Sequence, residues 1–309
     1  MENEEKNLTA NEPVNKEHKA GFVNIVGNPN VGKSTLMNDL VGERISIITS
    51  KAQTTRHRIT GIVNTPDYQI VFSDTPGVLK PKYRLQETMR EFSEGALTDA
   101  DILLYVTDVV EDPTKNSDFL ERVAKETIPV LLVINKIDLL KNQDELVAIV
   151  DKWKELLPKA EVFPTSATER FNVENLMNRI VELLPPSPPY FGKDALTDKP
   201  ARFFVTEIIR EKILLNYDKE IPYSTEVIVE KFEEKEKSIH IMAVIYVERD
   251  SQKGILIGKG GSMLKKVGIE SRKDIEKFFD KRVFLELFVK VEDNWRNREN
   301  KLKAFGYIE

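Results

Sequence analysis

From residue 21 onward, short unbroken apolar runs alternate with stretches whose apolar positions recur at helical spacing. The runs are Phe22–Val26, Tyr68–Phe72, Ile102–Val106, Val130–Ile134 and Val162–Phe163. Unbroken runs predict strands buried on both faces, and the stretches between them predict helical crossovers. Residues 20–184 therefore read as an α/β domain, a mostly parallel sheet with helices on both faces. Residues 1–19 hold five Glu, three Lys and no aromatic, too little apolar surface to offset the entropy of ordering, and they lack the apolar core of a signal peptide. They read as a disordered acidic tail.

The pattern changes at a proline cluster. Pro185, Pro186, Pro188, Pro189 and Pro200 fall within sixteen residues, so residues 185–201 must be extended and read as an interdomain linker. Beyond it the regular alternation is lost. A helix is expected around Arg202 to Leu215, then two alternating strands near Glu226–Phe232 and Ser238–Glu248, a glycine cluster, further helices, and a strand over Val283–Val291. This is an α+β domain over residues 202–309, without internal repeats. Phe278 and Phe279 are expected in its core.

Composition changes this picture in two ways. The chain of 309 residues has no cysteine, which excludes disulfides, thiolate nucleophiles and Cys-ligated zinc, and His18, His57 and His240 are too scattered for a metal cluster. No apolar run approaches the ~20 residues of a membrane span, so a soluble, cytoplasmic protein is expected. A net charge of -5 argues against a nucleic-acid partner for the chain as a whole. The charge is uneven, however: Lys253 to Arg282 holds nine basic and four acidic residues, centred on the glycine cluster. A mixed-charge run usually marks a solvated face, but its coincidence with that cluster favours a phosphate-facing stripe.

Gly27-Asn28-Pro29-Asn30-Val31-Gly32-Lys33-Ser34 fits the phosphate-loop pattern between a predicted strand and a helix opening at Thr35. Glycines let the backbone curl so that its N–H groups and the helix N-terminus face a phosphate; Lys33 reaches the β and γ oxygens and Ser34 takes a Mg2+ position. Asp74-Thr-Pro-Gly77 follows the next strand, where a carboxylate can hold a metal-bound water and the Gly77 N–H can meet a γ-phosphate. Asn135-Lys136-Ile-Asp138 closes a later strand. Guanine offers N1 and N2 hydrogens as adjacent donors that one carboxylate, Asp138, accepts as a fork; adenine has no such pair. Thr165-Ser166-Ala167, at the end of the last strand of this domain, would supply backbone N–H groups to guanine O6.

In this order the motifs resemble those of the Ras-like GTPases, and Ile45 to His57, containing Lys51-Ala-Gln-Thr-Thr-Arg-His57, resembles the bacterial Era GTPases. The resemblance covers about residues 20–305. It implies that the Thr54-Thr55 segment is a mobile switch over Mg2+ and the γ-phosphate, with Thr55 the favoured ligand and Thr54 the second choice. Lys33, Thr55 and Gly77 would then form the catalytic set. Asn30 resembles the asparagine with which potassium-dependent relatives hold K+; capping the turn is its alternative role. Where many GTPases place a water-orienting glutamine after the Asp-x-x-Gly glycine, this chain has Val78, so slow intrinsic hydrolysis stimulated by a partner is expected.

Ile257-Gly258-Lys259-Gly260-Gly261, followed by a helix carrying Lys265 and Lys266, contains a G-x-x-G loop. With no side chains at the glycines, such a backbone can approach a sugar-phosphate chain closely. The order read around it, helix-strand-strand-loop-helix-helix-strand, resembles a type II KH domain. The combination implies a GTP-hydrolysing switch that binds GTP and GDP, and whose KH domain binds the 3′ end of 16S ribosomal RNA during 30S subunit assembly. It further implies a monomer in the cytoplasm, with peripheral association at the inner membrane face. A competing class is a signalling switch whose second domain binds protein or lipid; no lipidation motif supports it.

Overall fold

Strand β1 (Lys19–Val26) lies at the centre of a six-stranded sheet in the computed structural model, which describes residues 17–308. The predicted tail falls outside the described residues except for its last three, and Lys19 already pairs with Tyr68. The chain continues through α1 (Lys33–Val41), β2 (Ile59–Asn64), β3 (Tyr68–Asp74), α2 (Arg84–Thr98), β4 (Ile102–Asp108), α3 (Ser117–Lys125), β5 (Val130–Asn135), α4 (Gln143–Leu156), β6 (Glu161–Pro164) and α5 (Val173–Leu183). The order across the sheet is β2-β3-β1-β4-β5-β6, with every neighbouring pair parallel except the antiparallel β2–β3.

One face carries α1 and α5, whose Leu36, Met37, Leu176 and Ile180 are fully buried in the same cluster as Val23 and Ile25; on the other, Ala96, Phe119, Val123 and Trp153 from α2, α3 and α4 share a cluster with Leu103 and Leu132. Strand order reverses at β1, which opens a crevice beyond the strands' C-terminal ends. Strand β2 is not predicted by the apolar pattern. It is a short edge strand interrupted by Gly61, where a Cβ would stand 2.6 Å from the Met37 methyl.

The proline segment is extended, as expected, but it is bound to the first sheet over most of its length. Ala20 N–H donates to the Pro185 carbonyl, Tyr190 and Phe191 N–H groups donate to the Gln69 side chain, Ile62 N–H donates to the Leu196 carbonyl, and the Thr197 hydroxyl donates to the Thr60 carbonyl. It thereby covers the open edge of β2, whose unpaired groups would otherwise invite another strand.

The second unit comprises α6 (Ala201–Asn216), α7 (Ile221–Ser224), β7 (Glu226–Glu234), β8 (Ser238–Val247), α8 (Asp250–Ile257), α9 (Ser262–Phe279), β9 (Arg282–Val291) and α10 (Glu299–Ala304). β7 pairs antiparallel and β9 parallel with β8. Val205, Ile209 and Ile213 of α6, Leu256 of α8, and Val267 and Ile275 of α9 pack on Val227, Ile241, Ala243 and Ile245.

Two expectations are corrected here. The glycine loop lies between α8 and α9 rather than before both helices, because Asp250–Ile257 is helical despite Gly254 and two β-branched isoleucines; Gln252 caps it and Leu256 anchors it. Phe279 packs against the core, but Phe278 is 42% exposed, stacked at 5.1 Å on Phe204. The chain end was not foreseen either. Trp295, Leu302 and Tyr307 cross back to pack on Leu85 and Met89 of α2.

Candidate functional site

The loop from β1 to α1 closes around its glycines. A Cβ on Gly27 would lie 2.1 Å from the Val106 carbonyl oxygen, and one on Gly32 would lie 2.1 Å from the Asn135 amide; both residues have positive φ. Inside the loop, Lys33 donates to the carbonyls of Gly27 and Asn28 at 3.1 and 2.8 Å. Burial pulls its ammonium down to about 8, against the attraction of Asp74 and Glu111. With Pro29, Asn30, Thr35, residues 47–51 and 53–55, Gly77 and Lys136, the loop lines a cavity of about 470 Å3, large enough for a nucleotide.

At the base of this cavity three oxygens converge. The Ser34 hydroxyl donates to Asp74 Oδ2 at 2.7 Å and lies 3.0 Å from the Thr55 hydroxyl, which is itself 3.4 Å from Asp74. Asp74 is fully buried, burial raises its carboxyl pKa, and its Oδ1 has no partner. An unpartnered carboxylate oxygen beside two hydroxyls suits a hard cation such as Mg2+. Thr54 is not brought to this cluster: its hydroxyl lies 2.6 Å from that of Thr49 and donates to the Lys51 carbonyl.

Gly77 packs so closely on Pro29 that a Cβ would sit 2.6 Å from the Pro29 Cα. Val78 turns its side chain into the core, donates its N–H to the Gly27 carbonyl, and accepts from the Asn116 amide. Its apolar side chain faces away from the cavity, so it is a packing residue. Asn30 stands exposed at the rim with φ 67°, and its carbonyl accepts from Lys136, which also pairs with Asp108 at 2.6 Å.

The base-recognition motifs are joined through Asn135. Its amide donates to the Val31 carbonyl at 2.9 Å and its oxygen accepts from Ala167 N–H at 3.0 Å. The N–H groups expected to meet guanine O6 are therefore already paired: Ala167 with Asn135, Ser166 with the Phe171 carbonyl and Thr165 with the Ile134 carbonyl. Asp138 is exposed and oriented by a 2.5 Å bond from the Ser166 hydroxyl.

In the second unit, Gly258, Gly260 and Gly261 all have positive φ, and nothing lies within 4 Å of a Cβ at the last two. The loop backbone is thus open to a partner. It ends a groove of about 390 Å3 between α9 and β9, lined by Gly261, Leu264, Lys265, Ile269, Arg272 and Leu285 among others. Lys259 and Lys266 are exposed, the latter 3.9 Å from Glu270, and Ile257 is half-buried. Arg272 was not singled out from sequence. It also lines the adjoining cavity with Phe284, an aromatic 58% exposed that sequence reading missed because alternate positions of β9 were read only as strand.

A family model described as a 50S ribosome-binding GTPase matches residues 22–136, and a KH domain model matches residues 220–296. Two solved structures share the whole architecture: a point variant of Aquifex aeolicus Era bound to GDP and AlF4-, and Era in complex with MgGDPNP and nucleotides 1506–1542 of 16S ribosomal RNA. Each is 37% identical, with a TM-score of 0.90 over 94% of this chain and all of the other. The chain belongs to the Era GTPase family. Its fold is therefore the Era arrangement of a P-loop GTPase domain and a type II KH domain, and its chemistry is GTP hydrolysis.

Within this Era architecture one contact had no signal in the sequence. Arg56, which reads as part of a polar loop, is fully buried: it donates to the Pro222 and Thr225 carbonyls and to Glu226 at 3.1 Å. All three of its hydrogen-bond partners belong to the second domain.

Proposed function

We propose that this Era-family chain is a GTP-driven switch that binds the 3′ end of 16S ribosomal RNA through its KH domain and assists maturation of the 30S subunit. The observation that carries the reading is the pairing, in one chain, of a nucleotide site with a basic groove that ends in a loop of three positive-φ glycines, two of them with open space around them. The solved Era complex with MgGDPNP and 16S RNA supports the choice of ligands.

In the nucleotide site, Lys33 and the backbone N–H groups of residues 30–35 hold the phosphates, the Gly77 N–H meets the γ-phosphate, and Asp138 selects guanine. Ser34 and Thr55 ligate Mg2+, with Asp74 holding a metal-bound water; the ion, when bound, neutralises the β and γ oxygens. Asn30, at the rim, is the residue for a K+ ion, supported only by its place in the loop and the resemblance to potassium-dependent relatives. Because Val78 faces the core, intrinsic turnover is slow, and turnover in K+ against Na+ measures what the cation supplies. The domains are taken as residues 20–184 and 202–309. The 30S particle as the place of action, a monomeric state, and a cytoplasmic location with peripheral membrane contact rest on the family; no described helix is long and apolar enough to cross a membrane.

The deciding experiment is retention of a 16S 3′-end RNA with and without GTP. Lys259→Glu with Gly260→Glu should abolish retention while leaving GDP binding intact. Retention undiminished in that variant would refute the KH assignment and favour a second domain that binds protein or lipid.

A further inference from the structure

The segment that brings Thr55 to the metal cluster is fastened by both domains: Glu211 of α6 accepts from Arg44 at 2.6 Å and from Ile48 N–H at 3.2 Å. At its start, Asn38 of α1 accepts from the N–H groups of Ile45 and Ser46 and donates to the Ser46 carbonyl at 2.7 Å. At its end, the first domain supplies Tyr83, whose hydroxyl donates to Gln53 Oε1 at 2.9 Å, and the second domain holds the backbone of Gln53 and Thr54 and the side chain of Arg56. Arg210 of α6, itself buried and paired with Glu207 at 2.7 Å, donates to the backbone carbonyls of Gln53 and Thr54. Gln53 is held there with φ 58°, a left-handed conformation unfavourable for a glutamine.

On the other side of Thr55, Arg56 is enclosed by the Pro222 carbonyl at 3.0 Å, the Thr225 carbonyl at 2.7 Å and Glu226 Oε2 at 3.1 Å. The same Glu226 oxygen accepts from the Tyr307 hydroxyl at 2.6 Å, and the Tyr307 ring stacks on His57 at 4.3 Å and 11°. Thus the backbone immediately before Thr55 and the side chain immediately after it are both fixed by groups that the first domain does not contain.

We propose that Arg56 is a positioning residue for GTP hydrolysis. Gripped by Pro222, Thr225 and Glu226, it holds the neighbouring Thr55 hydroxyl beside Ser34 and Asp74, so that the hydrolytic site is complete only when the second domain is docked. GDP has no γ-phosphate for this segment to cover, so its binding is independent of the grip. The inference rests on the assignment of Thr55 to the metal made above.

The test measures, in the full-length protein, GTP turnover, Mg2+ requirement, and affinity for GDP and GDPNP in Arg56→Ala, Arg56→Lys, Glu226→Gln and Thr55→Ala. Misplacing a catalytic group by an ångström costs about a hundredfold. Arg56→Ala is therefore expected to lower kcat by about that factor, raise the Mg2+ requirement and weaken GDPNP, with GDP affinity unchanged; Arg56→Lys should recover part of the loss. Glu226→Gln, remote from the nucleotide, should show the same pattern more weakly, and combining it with Arg56→Ala should add nothing.

Turnover by Arg56→Ala within about twofold of the parent would overturn the proposal, as would equal losses of GDP and GDPNP affinity, the mark of a merely structural ion pair. Should Arg56→Ala fail to fold, Glu226→Gln decides by the same readouts. If Thr55→Ala hydrolyses GTP at the parental rate while Arg56→Ala does not, the Thr55 assignment fails and the role of Arg56 stands on other contacts of the same segment.

Discussion

The side-chain amide of Asn135 donates to the carbonyl of Val31 at 2.9 Å, tying the end of β5 to the middle of the phosphate loop. Base recognition and phosphate binding therefore share one buried anchor, only 2% exposed. Asn135→Ala removes both this bond and the acceptor for Ala167 N–H. It should weaken GDP and GTP equally, by about a hundredfold, since two buried partners are left unpaired. Nucleotide titration of the folded variant measures this.

Asp138 is the residue proposed above to accept the guanine N1 and N2 hydrogens. Asp138→Asn replaces an oxygen acceptor with a donor opposite N2, and GTP affinity should fall on the order of a thousandfold. Xanthine, which carries a carbonyl at that position, should gain affinity in the variant. Competition between GTP and XTP measures the reversal, and unchanged GTP preference would remove Asp138 from the role.

Thr55 and Thr54 are adjacent in sequence, but of the two only the Thr55 hydroxyl reaches Ser34 and Asp74. Thr55→Ala should raise the Mg2+ requirement for GTP turnover at least about tenfold, while Thr54→Ala, whose hydroxyl bonds within its own loop, should change it less than about twofold. Turnover across a Mg2+ titration distinguishes them.

Replacing Val78 with the glutamine found in many GTPases should not accelerate hydrolysis. Its side chain packs among Val26, Leu103 and Phe119, so Val78→Gln buries an unpaired amide at a cost of about 1–3 kcal/mol. A lowered thermal midpoint with no gain in kcat is expected.

Arg272 and Phe284 extend the groove beyond the glycine loop. Arg272→Ala should lower the salt dependence of RNA binding by about one unit of slope, the signature of one lost phosphate contact. Phe284→Ala should cost about 1–3 kcal/mol with little change in slope, as expected for a lost base stack.

How much of this was legible depended on the range of the interactions. The phosphate loop, Asp74 and Asp138 were readable because each is a short string whose chemistry is local and whose position after a strand is fixed by the fold. Thr55 could be narrowed to two residues and no further, since the contacts around it, from Arg210 to Gln53 and Thr54 and from Arg56 to Pro222, Thr225 and Glu226, cross the domain boundary. β2 was missed because an edge strand of six residues carries little pattern. Burial of Arg56, crossing of Tyr307 onto the first domain and exposure of Phe284 depend on contacts between distant parts of the chain, which no window of sequence contains. The acceptors that the Ser166 and Ala167 N–H groups have at Phe171 and Asn135 were not legible for a similar reason.

The proline segment that covers β2 limits how the molecule can move. Its last anchor to the first sheet is Thr197, and α6 begins at Ala201, so three residues separate the two rigid bodies. Three residues span at most about 10 Å. With a connection this short, the second domain would stay beside the nucleotide segment even if the contacts of Arg56 and Arg210 were broken. Re-forming those contacts would be a unimolecular event at a very high effective concentration.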